Sequence, residues 1–146
     1  MLVNFFGAGD LIVEHLKIKL NPPANFPIRV APNQEWAVNN VVDQAISIIF
    51  FDDQPNTANH GSAGRSKSQS STQFWLIVVS QKNVQNAGVA ARLEIGTVVV
   101  DILKALQGYE LSPDYRPLKR ERSQFRNPDK GAYVHIPLMF STSIII

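Results

Sequence analysis

The sequence predicts an α+β domain: a mainly antiparallel or mixed sheet of about four to five strands, with two helices packed on one face. Three observations carry this. Ala45–Phe51 and Gln73–Lys82 are β-branched and aromatic runs of strand length. Leu11–Leu20 and Ala87–Gln107 keep apolar residues at three-four spacing, the mark of a one-faced helix. The strands stand apart from the helices instead of alternating with them. The chain of 146 residues is one domain's worth.

In chain order, Asp10 reads as the N-cap of a helix over Leu11–Leu20, with Glu14 near its start and Lys17 and Lys19 in its last turn, as the helix dipole favours. Ile12, Leu16 and Leu20, with Val13, form its apolar stripe, and Asn21-Pro22-Pro23 ends it. Phe26–Ala31 reads as extended. Asn33–Gln44 is ambiguous, with a short helix as one option. Ala45–Phe51 is a buried strand that stops at the turn-like Asp52-Asp53-Gln54-Pro55. Asn56–Thr72 is almost wholly small and polar, and is expected to be a mobile loop or the arm of a long hairpin. Gln73–Lys82 is apolar on both faces in its middle, which places it centrally in the sheet. In the long helix Gly96 suggests a close packing contact, and Gly108 is the expected residue just past its end. Arg116–Arg126 and Gly131–Ser141 flank Asn127-Pro128-Asp129-Lys130 and read as a hairpin. Its second arm alternates, with Val134, Ile136, Leu138 and Phe140 on one face, and Pro137 suggests an edge or bulge. The Ile144-Ile145-Ile146 end is an aggregation hazard unless it pairs.

Composition narrows the function. There is no cysteine, which excludes disulfide scaffolds, thiolate metal sites and thiol nucleophiles. The start has no basic n-region, and no apolar run approaches the ~20 residues of a membrane span, so a soluble chain in the cytoplasm is expected. The net charge of +2 is unevenly spread: residues 1–53 carry six acids and three bases, residues 54–146 eleven bases and six acids. The bases gather at Arg116, Lys119, Arg120, Arg122, Arg126 and Lys130. This asymmetry fits a solvated face, a nucleic-acid patch, or head-to-tail self-association of unlike surfaces.

No catalytic constellation stands out, and no cofactor is expected. His15, His60 and His135 are scattered, and nothing has HExxH-like spacing. Asp52-Asp53 with His60 is a weak metal motif that reads better as a turn. Gly7-Ala8-Gly9-Asp10 lacks the strand and the Lys-Ser/Thr ending of a phosphate loop. The serines between 62 and 71 match no nucleophile elbow. Phe125 among the bases could stack a nucleic-acid base.

The strand Phe74–Asn83, the helix ending Val100–Pro113 (VDILKALQGYELSP), Pro117-Leu118-Lys119 and the closing strand Ala132–Phe140 (AYVHIPLMF) together resemble the tail terminator, or tail completion, proteins of long-tailed phages, particularly a Mu-like prophage branch. The likeness covers about residues 74–140. It departs from the family's pattern in Asn56–Thr72 and the isoleucine tail, to which no family role is carried over. The resemblance implies a single domain over 1–146 that forms a ring, expected to be hexameric. Such a ring caps the tail tube, stops its growth, meets neck or head-completion proteins and, in contractile tails, the sheath. DNA would only pass through its lumen, and the location would be the virion, with assembly in the host cytoplasm and no membrane partner. The candidate interface residues are Asp52, Asp53, Arg65, Lys67, Arg116, Lys119, Arg120, Arg122, Arg126, Ile144, Ile145 and Ile146. Three readings stand beside the terminator: a neck or head-completion subunit, a nucleic-acid-binding module using Lys119, Arg120, Arg122, Phe125 and Arg126, and a small enzyme with a pocket between sheet and long helix.

Overall fold

The computed structural model describes residues 2, 4–22, 26–55, 70–82, 89–123 and 133–145. Its elements are α1 (Gly7–Leu20), β1 (Ile28–Val30), α2 (Gln34–Asn39), β2 (Gln44–Pro55), β3 (Ser70–Lys82), α3 (Val89–Leu106), β4 (Lys119–Glu121) and β5 (Tyr133–Ile145). The five strands form one mixed sheet in the order β1-β2-β3-β5-β4, with β1 parallel to β2 and every other pair antiparallel. The α+β expectation holds, and β3 is the central strand. The polar segment 56–69 lies outside the described residues, but β2 and β3 on either side of it pair as far as Pro55 and Ser71, as the arms of a long hairpin should.

Period-two alternation sorts the sheet into two faces. Ile46, Val79 and Ile136 share one register row, Ile48, Ile77 and Leu138 the next, and Phe50, Trp75 and Phe140 a third. These rows join Ile12 and Leu16 of α1 and Ile95, Ile102 and Leu106 of α3 in the main core. The two long helices therefore cover one face, as predicted. The opposite face holds Ile49, Leu76, Val78 and Met139, which cluster with Ala31 and with Ala37 of α2. The ambiguous segment is thus a third helix, short and capped by Asn33, whose side chain accepts the Trp36 N–H at 2.7 Å.

Several local expectations change. Helix α1 starts a turn before Leu11, with Phe6 at the N-cap position, so Asp10 sits in the first turn and does not cap it. The earlier start is held by Asn4, whose Oδ1 accepts the Phe6 N–H (2.9 Å) and whose carbonyl accepts the Gly7 N–H (3.1 Å). Strand β2 runs through Asp52-Asp53-Gln54-Pro55, where a turn was expected. A bulge between Phe50 and Asp52 takes up one extra residue, and pairing then resumes at Asp52 with Phe74. Ser70–Thr72, the end of the segment read as a loop or a hairpin arm, belong to β3, as the hairpin-arm reading expects. Gly108 takes φ +77°, as a C′ glycine should, and its N–H reaches Leu118 O at 2.8 Å. The hairpin is present as β4 against Met139–Ser141, with its turn outside the described residues. Pro137 pairs with Val78 in β5, and β4 stops at Met139, so its missing N–H breaks no ladder on the β4 side among the described residues.

The glycine expectation is displaced. Gly96 faces open space, with nothing within 4 Å of where a Cβ would stand. The close contact is made by Gly9, where a Cβ would lie 2.8 Å from Trp75 Cζ3 and 3.0 Å from Cη2. Trp75 is 1% exposed and cannot swing away. Gly9→Ala is therefore expected to destabilise the fold by about 1–3 kcal/mol through overpacking. Gly96→Ala should stabilise it by about 0.5–1 kcal/mol, because alanine is the better helix former there and meets nothing. Chemical denaturation of the two variants reads both effects, and equal signs would refute the assignment.

Candidate functional site

Among the described residues, the charged members of the predicted site separate onto the two sides of the sheet. On one edge lies β4, which presents exposed Lys119 and Arg120, with exposed Arg116 and Arg122 just outside it. Its backbone is firmly held. Arg116 N–H donates to Ser143 O (2.9 Å), Thr142 Oγ1 to Arg116 O (2.7 Å), and Arg120 N–H to Gln107 Oε1 (2.9 Å). Ser141 Oγ donates to Glu121 Oε1 at 2.8 Å. Buried Tyr115 and Leu118 alternate with the exposed bases and anchor the segment to the main core. Burial pushes the Tyr115 phenol above its usual pKa, and neighbouring Asp114 pushes it the same way.

The acidic pair lies on the other edge, at the far end of β2. Asp52 is exposed, and its Oδ1 accepts the Asp53 N–H at 2.8 Å. Asp53 is half-buried, with Oδ1 shielded and without a hydrogen-bond partner among the described residues. Strand β1 covers β2 only at Ile46–Ile48, so Asp52–Pro55 have no strand outside them among the described residues. Near β1, Arg29 stacks on Trp36 at 4.7 Å and donates to Ser47 Oγ and Ala37 O, which fastens α2 to the sheet.

Arg65, Lys67, Arg126, Ile146, Phe125, Lys130 and His60 lie outside the described residues, as does the side chain of Ile145. Ile144 is placed differently from the expectation. It is fully buried, paired with Ser71 on one side and bridged to Tyr115 on the other. The isoleucine end is thus an internal part of β5 as far as residue 145, and the backbone pairing that the sequence lacked is supplied within the chain.

The two histidines among the described residues are occupied. His15 Nε2–H donates to Ala105 O at 3.0 Å, and its ring stacks on Tyr109 with centroids 3.6 Å apart. It lines a cleft of about 610 Å³ between the C-terminal ends of α1 and α3, together with Lys19, Asp101 and Lys104. His135 Nδ1 shares a 2.7 Å hydrogen bond with Ser80 Oγ, but the two residues are 1% and 0% exposed, so a substrate has no access to that pair. Among the described residues no three His, Cys, Asp or Glu side chains are grouped to hold a metal ion, and no helix is long and apolar enough to cross a membrane. The geometry offers surfaces and edges more readily than a reaction centre.

A family model described as "Phage tail terminator protein" matches residues 33–146, from the cap of α2 to the end of the chain. The chain belongs to the phage tail terminator family. It is therefore a structural phage tail protein, found in the virion and assembled there with other tail proteins. In fold this family member is similar to a chain from a solved "Virion of native gene transfer agent (GTA) particle", with TM-score 0.56 and 15% identity over 98% of this chain and 100% of that one. The fold likeness takes in α1 and β1, which the family model leaves out. No curated protein matches the sequence.

The burial of Ile144 yields a test. Ile144→Ala should cost about 2–5 kcal/mol in stability, as for a truncated core residue. An unfolding curve unchanged by the substitution would return the residue to the surface.

Proposed function

We propose that this chain forms a ring, expected to be a hexamer, on the last layer of the tail tube. The ring stops tube growth and offers its outer surface to neck or head-completion proteins and, in a contractile tail, to the last sheath layer. The observation that carries this reading is the family match over residues 33–146. The fold supports it physically. Unlike charges on opposite edges of one small domain suit a heterologous contact, in which one edge of each copy meets the other edge of the next, and such contacts close into rings when the rotation allows. No catalytic step is assigned to the chain, and DNA touches it only in passing through the lumen.

Mixing the purified protein with polymerising tail tube protein tests the reading. Negative-stain microscopy is expected to show rings at tube ends and arrested tubes. Unchanged tube lengths, together with a protein that stays monomeric and leaves tube ends bare, would overturn it. A strong, salt-sensitive affinity for DNA, lost when Lys119, Arg120 and Arg122 are neutralised, would favour the nucleic-acid module instead.

A further inference from the structure

The register rows sort the exposed charges by face. Phe50 pairs with Trp75, Trp75 with Phe140, and Phe140 with Arg120. These four side chains share the face that the two long helices cover. Phe50 ends the row on one side of the sheet and Arg120 ends it on the other, about 14 Å away at the usual strand spacing. Lys119 falls in another row, with Ser141, Phe74 and Asp52, and so points to the opposite face. Arg120 is exposed. Its main-chain N–H is bonded to Gln107, but its guanidinium has no hydrogen bond, ion pair or ring contact among the described residues.

At the Phe50 end, the same face carries an exposed aromatic corner. Phe6 is 55% exposed and rests edge to face on Phe5 and Phe50, with ring centroids 5.2 and 5.1 Å away. Val30, exposed at the end of β1, continues the apolar surface from the neighbouring row. Two acids flank it. Asp10 is exposed and lies one turn along α1 from Phe6. Asp53 pairs with Gln73, whose side chain holds Phe5 O, so it lies on the same face beside Phe5. One of its carboxylate oxygens has no donor among the described residues. An aromatic ring set among carboxylates suits a guanidinium: the flat cation stacks on the ring while its N–H groups reach the acids.

Arg120 cannot reach this corner in its own chain, because buried Trp75 and Phe140 and the helices over them lie between. We propose that Arg120 of one protomer docks on the Phe6–Phe50 corner of the next: its guanidinium stacks on Phe6, and the Asp10 and Asp53 carboxylates accept its N–H groups. The contact joins unlike surfaces, so it repeats from copy to copy. A closed ring repeats by rotation without rise, and with the strands along the ring axis the two ends of one register row arrive at one height. Only side chains meet. The main-chain groups nearby keep their own bonds: Leu118 N–H donates to Tyr109 O, Gly108 N–H to Leu118 O, Arg120 N–H to Gln107 Oε1 and Asp53 N–H to Asp52 Oδ1. This rests on the ring reading and names the side chains through which neighbouring copies meet.

The fraction assembled on tube ends, measured by sedimentation, reads the contact. Arg120→Ala and Phe6→Leu should each lower it about tenfold. The double variant should be no worse than either, because both changes remove the same contact. Arg120→Lys should recover only part of the loss. Lys119→Ala, on the opposite face, should assemble like the parent. Phe6, Lys119 and Arg120 are exposed, so unfolding curves should match the parent. The chain has no cysteine, which makes cross-linking clean. A short bismaleimide should join the Phe6→Cys, Arg120→Cys double variant into a ladder of covalent oligomers ending at the ring, and leave each single variant largely monomeric. Parent-like assembly of Arg120→Ala and Phe6→Leu, with no ladder from the cysteine pair, overturns the contact and leaves the ring reading intact. Losses that add in the double variant, or an equal loss from Lys119→Ala, also overturn the contact alone. A chain that forms neither rings nor ladders, with tube ends present, overturns both.

Discussion

The seat of Trp75 under the first helix is the contact on which the rest of the packing depends. Trp75 lies on the central strand, is almost wholly buried, and shares a register row with Phe50 and Phe140. Helix α1 can lie over it only because position 9 has no side chain. The indole N–H must also find an acceptor in the core, and Gln73 supplies it through Oε1 at 3.2 Å. The Gln73 Nε2–H in turn donates to Phe5 O at 2.7 Å, which draws the start of the chain onto the end of the sheet. Phe5, Phe6 and Phe50 close the corner edge to face. One aromatic side chain thereby sets the height of α1, the path of the N-terminal residues and the shape of the core at the hairpin end.

Other buried polar side chains follow the same rule, apart from Asp53 Oδ1 and Ser71 Oγ. Ser80 and His135 satisfy each other across β3 and β5, and Tyr133 beside them donates to Val42 O. His15 gives its proton to a main-chain carbonyl of α3 and so ties the two long helices together at their C-terminal ends. Each is a residue type that often serves chemistry. Here each is already committed to holding the fold.

A protein that works by shape needs faces that are stiff and edges that are selective. The core rows give the stiffness, since both faces of β3 are covered. The two sides of the sheet carry unlike charge, Asp52 on one and Lys119 and Arg120 on the other. A short basic strand ends the sheet on one side, and on the other an acidic strand end has no strand beside it among the described residues, because β1 pairs with only three residues of β2. Both features follow from strand length.

Much of this was legible in the chain. Periodicity placed the two long helices, the central strand, the alternation of β5 and the glycine past α3, because each depends on residues close in sequence. The family likeness over 74–140 was legible for the same reason: it lies in contiguous strand and helix patterns. What the sequence misplaced depends on neighbours distant along the chain. Asp52–Pro55 have turn composition, yet they are strand because β3 offers a ladder and a bulge takes up the extra residue. Ile144 looked like part of a free apolar end, yet it is core because Ser71 and Tyr115 flank it. Gly96 and Gly9 exchanged roles because only the docking of α1 on Trp75 decides which glycine is crowded. The net charge of each half was fixed by composition alone. That the two charges stand on opposite edges, with Asp52 and Lys119 in one row, was decided by strand order and register, which are properties of long-range pairing and have no local signature.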